Sequence, residues 1–144
     1  MYQHILIATD GSELAGKAVA AGIALAKELN SRVTAVTVSE PWVAVVGDAG
    51  VGFPLKEYEE AVAQNAAQIL AAVGELARKS GVACATVHAK DQYPAEGILD
   101  TAKNSGCDLI VMSSHGRRGL GRLLLGSDAV RVLTHSTIPV LICR

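Results

Sequence analysis

Aromatic residues are nearly absent from this 144-residue chain, at 3% of the sequence, although half of it is hydrophobic. A core without aromatic rings must be assembled from Ala, Val, Leu and Ile, which favours helices packed closely on β-branched strands. Net charge is also scarce. The formal value of −1 excludes a global electrostatic pull toward nucleic acid or membranes. Cysteine is limited to Cys84, Cys107 and Cys143, with neither metal-ligand spacing nor a secreted disulfide framework. Two of the three fall in apolar strand-like runs, which predicts buried, inert thiols there. No signal peptide opens the chain and no apolar run approaches the ~20 residues of a transmembrane helix, so a soluble, cytoplasmic protein is expected. Disorder and low complexity are lacking too, and the length predicts one domain over residues 1–144.

What charge there is lies unevenly. Residues 113–144 carry five arginines against one acid, Asp128, whereas residues 1–112 hold eight basic and thirteen acidic side chains. The basic end coincides with a glycine-rich stretch, residues 113–127, that follows the apolar run 109–112 and precedes a helical pattern over 128–134. A strand that ends in such a loop and restarts as a helix aims backbone N–H groups and a positive dipole end at one point. That is a place for an anion, most often phosphate.

Elsewhere short apolar runs alternate with helical periods. Strands are predicted over 5–8, 33–38, 82–89, 109–112 and 140–143. Helices are predicted from Ser12, a candidate N-cap, to about Asn30, over 55–79 with Gly81 as C-cap, from Pro94 to about Ser105, and over 128–134. Strands apolar throughout suit a parallel sheet covered on both faces. The expected fold is a Rossmann-like α/β three-layer sandwich, a five-stranded parallel sheet of order 3-2-1-4-5 with helices on both faces. Ligands of such sheets bind beyond the strand carboxyl ends where strand order reverses, which would bring Thr9-Asp10-Gly11 and the glycine-rich loop into one crevice. Residues 39–54 have no period and carry Pro41, Trp42 and Pro54. They are read either as a lid over that crevice or as cover for core or subunit surface.

The loop is not a Walker A motif, because it has no lysine. Nor is it a dinucleotide fingerprint, because Gly119-Leu120-Gly121 is followed at the third position by Leu124. Gly126-Ser127 could equally serve as a plain helix cap. Several other segments, however, belong together: Ile5-Leu6-Ile7-Ala8-Thr9-Asp10-Gly11-Ser12, Tyr93-Pro94-Ala95-Glu96, Asp108-Leu109-Ile110-Val111-Met112, Ser114-His115-Gly116, Leu124-Leu125-Gly126-Ser127 and Ile138-Pro139-Val140-Leu141-Ile142. With them the whole chain resembles the universal stress proteins. ATP-binding members of that family carry glycine, two residues, glycine, nine residues, glycine, then serine or threonine. Here Gly116 takes the second glycine, residues 117–125 the spacer, and Gly126 and Ser127 the end; Ser113 stands at the first glycine, keeping an N–H and adding a hydroxyl.

The resemblance implies a site for ATP, or AMP or ADP. Ala8, Thr9 and Asp10 would line its adenosine part, and Val38 would meet adenine. Gly116, Gly126, Ser127 and the neighbouring N–H groups would hold the phosphates, and Met112, Ser113, Gly119 and Asp128 would also be among the nucleotide-binding residues. His115, Arg117, Arg118 and Arg122 would pair with phosphate oxygens, since guanidinium forks match phosphate geometry. Asp10 either hydrogen-bonds ribose or helps hold Mg2+. Taken alone, Asp10 makes an Asp-Gly turn, Val38 packs in a strand, His115 caps a turn and each arginine is solvated charge. His4, His88 and His135 are scattered and receive no role. The resemblance further implies a homodimer joined along the last strand, whose Pro139 and Arg144 suit an edge. A regulatory partner protein is expected, and neither nucleic acid nor membrane.

No catalytic constellation stands out: Ser114-His115 are sequence neighbours, and there is no Gly-x-Ser-x-Gly elbow. The expected function is a nucleotide-binding sensor or regulator in stress response, not a dedicated enzyme. Two alternatives stay open, an interaction protein with a decayed site at Ser113 and a slow ATPase.

Overall fold

The computed structural model describes residues 1–42, 54–116 and 124–144. Every residue of the first strand, β1 (His4–Ala8), is buried, and its side chains alternate between two cores. Ile5 and Ile7 face one layer of helices, while Leu6 and Ala8 face the other. The same alternation runs through β2 (Arg32–Val38) and β4 (Leu109–Ser113), so all three strands are covered on both faces. These become the centre of a parallel sheet of order β3-β2-β1-β4-β5, as the strand–helix rhythm predicts.

Helices α1 (Glu13–Leu29) and α2 (Leu55–Ser80) close one face through Ala18, Val19, Ile23, Leu70, Val73 and Ala77. Helices α3 (Pro94–Ser105) and α4 (Ser127–His135) close the other through Ala95, Ile98, Ala102, Ala129 and Val132. Small residues at these positions let helices lie close to the sheet. Gly22 is the extreme case, because a β-carbon there would stand 2.6 Å from Ile7 Cδ1.

The ends of the helices follow the local chemistry. The Ser12 hydroxyl accepts from the Ala15 N–H at 3.2 Å, the expected cap of α1. Asn30, Gly81 and Gly106 end the first three helices in left-handed conformations, and glycine takes that conformation at the least steric cost. Strand β3 (Cys84–Ala89) starts two residues later than its apolar run, because the Val82 N–H bonds to Ala77 O in the cap of α2.

One expectation needs correction. The outer strands β3 and β5 (Val140–Cys143) are only partly covered, so Cys84 and Cys143 are half-buried; the buried cysteine is Cys107, just before β4. Desolvation still raises all three thiols, Cys107 to about 11, which keeps them protonated near neutrality. The placement of β5 at an edge agrees with Pro139 and Arg144. No described helix is long and apolar enough to cross a membrane.

Candidate functional site

Strand order reverses between β1 and β4, which are direct neighbours paired from Ile5–Leu109 to Ile7–Val111. Beyond their carboxyl ends opens a cleft of about 710 Å3, within the range of small-molecule sites. Ala8, Thr9, Asp10, Val38, Met112, Ser113, His115, Gly116, Gly126, Ser127 and Asp128 all line it. The predicted site residues Arg117, Arg118 and Gly119, with Arg122, lie outside the described residues, as does most of the 39–54 segment.

After β1 the chain turns on its own side chains. Thr9 Oγ1 accepts from the Gly11 N–H at 3.1 Å, and Asp10 Oδ1 accepts from the Ser12 N–H at 2.9 Å. The turn reading of Asp10 therefore holds, but it uses only one carboxylate oxygen for that bond. The other approaches Gly116 so closely that a β-carbon on Gly116 would stand 2.5 Å from Oδ2. Gly116 does not need glycine for a positive φ; it needs glycine so that β1 and β4 loops can meet across the crevice.

The loop after β4 is anchored at both ends. The Ser114 N–H donates to Cys143 O at 2.8 Å, and the Gly126 N–H donates to Ser114 O at 2.7 Å. The second bond leaves little room for a side chain, since a β-carbon on Gly126 would lie 3.0 Å from Ser114 O. Ser113 departs from the glycine pattern without strain, having no positive φ. Its hydroxyl donates to His115 O at 2.7 Å and so ties the loop to itself. His115 Nδ1 lies 3.2 Å from Ser114 Oγ.

Gly126 is the N-cap of α4 and has no side chain to satisfy the amides that follow. The first intrahelical bond is Val130 N–H to Gly126 O. The N–H groups of Ser127, Asp128 and Ala129 therefore have no partner within the helix, and all three residues line the cleft.

Several lining residues have no sequence signal of their own. Ser39 and Glu40 follow β2 and belong to the same rim of carboxyl ends. The Ser39 backbone is fixed by Ala89 O and the Gln92 N–H, and its Oγ lies 2.6 Å from His88 Nε2. Burial, assisted by Lys90, lowers the pKa of His88 and keeps that ring neutral. Asn65 and Ile69 come from α2, Tyr93 from the N-cap of α3, Pro94 and Ile98 from α3 itself, and Arg131 from α4. Only Arg131 follows a readable rule, being one turn beyond Ser127 with its side chain directed toward the helix start.

Carboxylates of Asp10, Glu40 and Asp128 share the cleft with the Arg131 guanidinium. Among the described residues no group of three or more His, Cys, Asp or Glu is gathered to hold a metal ion. These carboxylates, without a gathered ligand set, fit Mg2+ only as the ion usually travels, carried on phosphate and water oxygens.

A doubly wound parallel sheet with a cleft at its switch point defines a Rossmann-like α/β fold. The chain belongs to the universal stress protein family, whose model matches residues 1–144. Universal stress protein YxiE of Bacillus subtilis is 34% identical over 149 residues, covering 100% of both chains. The solved structure of MJ0577, from Methanocaldococcus jannaschii, superposes with a TM-score of 0.83 at 26% identity, covering 99% of this chain and 96% of that one. A universal stress protein solved in complex with cAMP gives 0.74 at 25% identity, covering 99% and 97%.

Proposed function

We propose that this protein binds an adenine nucleotide, ATP or its mono- or diphosphate, in the cleft and acts as a regulator in stress response. The observation that carries the reading is the start of α4 in the cleft: its N-cap, Gly126, makes no side-chain capping bond, and Gly126 and the first helical residues line the cleft. Amides at a helix start stabilise phosphate by direct bonding and by the dipole behind them. From β4 to β2 the cleft crosses two strand spacings, roughly 10 Å, which suits a phosphate at Gly126-Ser127-Asp128 and a base at Val38. Between them Thr9 and Asp10 would meet the ribose, above Ala8 and Met112. The relative solved with cAMP supports an adenine nucleotide as the ligand class.

Arg131, and Arg117, Arg118 and Arg122 of the glycine-rich loop, would neutralise phosphate charge, with His115 beside them. Ser113 contributes loop closure, because its hydroxyl already serves His115 O. Where Mg2+ accompanies the nucleotide, Asp10 would supply a carboxylate oxygen and the ion would screen the phosphates. A second copy would pair along β5, an edge strand with Leu141 exposed. Sedimentation should accordingly give twice the chain mass, and a monomer at all concentrations would contradict the dimer. A cytoplasmic site of action and a regulatory protein partner complete the proposal.

The direct experiment is to denature freshly purified protein and identify any released nucleotide by chromatography. An adenine nucleotide near one per chain is expected. No released nucleotide, together with no binding of ATP or AMP at millimolar concentration, would overturn the reading.

A further inference from the structure

We infer that Gly97, which has no place in the nucleotide-binding pattern, sets the width of the cleft where the base would lie. The inference rests on the proposed adenine-nucleotide reading and concerns the wall at Val38. Val38 ends β2, lines the cleft, and packs its isopropyl group against the first turns of α3. Gly97 is buried in α3 directly behind it. A β-carbon on Gly97 would lie 2.7 Å from Val38 Cγ2 and 2.8 Å from Cγ1, with Gln92 Oε1 3.1 Å away. Ordinary carbon–carbon contact needs about 3.5–4.0 Å, so roughly 1 Å must be found.

Valine cannot find it by rotation. Both γ carbons are close at once, and a β-branched side chain has few χ1 choices. Val38 is backed by α3 on one side and open to the cleft on the other, so relief comes by displacement into the cleft. The alternative, an outward shift of α3, would carry Tyr93, Pro94 and Ile98 of the same wall with it. In either case the part of the cleft beside Val38 changes shape. Displacement of Val38 leaves the start of α4 in place, beyond β1 and β4, whereas a shift of α3 would press on α4, its neighbour on the same face, and would weaken ribose 5-phosphate as well. Gly97 is therefore a positioning residue: it lets Val38 sit back far enough for a flat heterocycle to enter beside it.

The test separates base from phosphate. AMP and ribose 5-phosphate are titrated calorimetrically into the nucleotide-free protein, Gly97→Ala, Val38→Ala and the double variant. Gly74→Ala serves as the helix control, since a β-carbon there meets nothing within 4 Å. Gly97→Ala should weaken AMP about tenfold and leave ribose 5-phosphate within twofold. In the Val38→Ala background the same substitution should cost nothing, because the two methyl groups it strikes are gone.

Equal AMP affinity for the unmodified protein and Gly97→Ala overturns the inference while leaving nucleotide binding intact. So does an AMP loss of the same size in both backgrounds. Absence of AMP binding to the unmodified protein overturns both. Should Gly97→Ala fail to fold, Val38→Ile replaces it, because the extra methyl group has only the cleft to enter. A tenfold loss for AMP alone then supports the inference, and an unchanged affinity overturns it.

Discussion

Gly22 and Gly74 both occupy helices, yet a methyl group added to each would meet opposite surroundings. At Gly22 it would press on Ile7 in the centre of the sheet, 2.6 Å and 2.9 Å from two side-chain carbons; at Gly74 it would meet nothing within 4 Å. Gly22→Ala should therefore destabilise the fold by about 1–3 kcal/mol through overpacking. Gly74→Ala should stabilise it by about 0.5–1 kcal/mol, since it removes backbone freedom from the unfolded chain. Urea denaturation reads both, and an equal sign for the two changes would contradict the packing described. A second residue-scale effect lies at the opposite end of the sheet from the cleft. His4 is buried, its Nε2 2.7 Å from Thr34 Oγ1 and its Nδ1 without a hydrogen-bond partner. Burial lowers its pKa with help from Arg32; the Asp108 carboxylate and the Ser105 carbonyl, which falls short of hydrogen-bond geometry, pull the other way. The unfolded chain takes up this proton first. Stability from a neutral His4 is thus full above pH ~6.5 and is lost as pH falls from there through the folded-state value. His88, lowered for a similar reason, acts in the same window. Denaturation midpoints should fall between pH 7.5 and pH 5, and His4→Gln should flatten the slope. An unchanged slope would assign the loss elsewhere.

At the scale of elements, the start of α4 is where structure and proposed function meet. A side chain on Gly126 would crowd Ser114 O, which a β-carbon would meet at 3.0 Å. Gly126→Val would thus disturb the loop whether or not phosphate binds there, and it makes a poor probe. Ser127→Pro is cleaner. Proline is well suited to the first helical position, and Gly126 already has the extended ψ of 158° that a residue before proline adopts. The substitution removes one amide donor and little else. The fold should stay intact while AMP and ATP weaken tenfold or more, the loss of one charge-assisted hydrogen bond of about 1.5–3 kcal/mol. Ser127→Ala, which keeps the N–H, should bind more tightly than Ser127→Pro. Equal binding by the two variants would place the phosphates away from α4.

For the molecule as a whole, strand order was readable because two rules leave little choice. Right-handed crossovers and strands apolar on both faces lead to a doubly wound sheet, and β1, β2 and β4 obey both. Burial at the edges was less readable: the order put β3 and β5 outermost, but their apolar runs do not show how far the helices cover them, and Cys84 and Cys143 are only half-buried. The site divides similarly. Thr9-Asp10, Ser113–Gly116 and Gly126-Ser127 were legible because each is a turn written in consecutive residues. The separate roles of Gly116 and Gly126, one making room for Asp10 and the other for Ser114 O, depend on contacts across the crevice. Asn65 and Ile69 reach the cleft only through the packing of α2, so no local pattern marks them.

The central claim is that phosphate sits on the start of α4 while the base lies at Val38. Amide chemical shifts of 15N-labelled, nucleotide-free protein, followed during titration with AMP, test it most directly. The largest shifts should fall on Ser127, Asp128 and Ala129, with further shifts at Asp10, Gly116 and Val38. Ribose 5-phosphate should reproduce the first group without Val38. No shifts at saturating AMP, or shifts confined to residues around His4 at the far end of the sheet, would contradict the account.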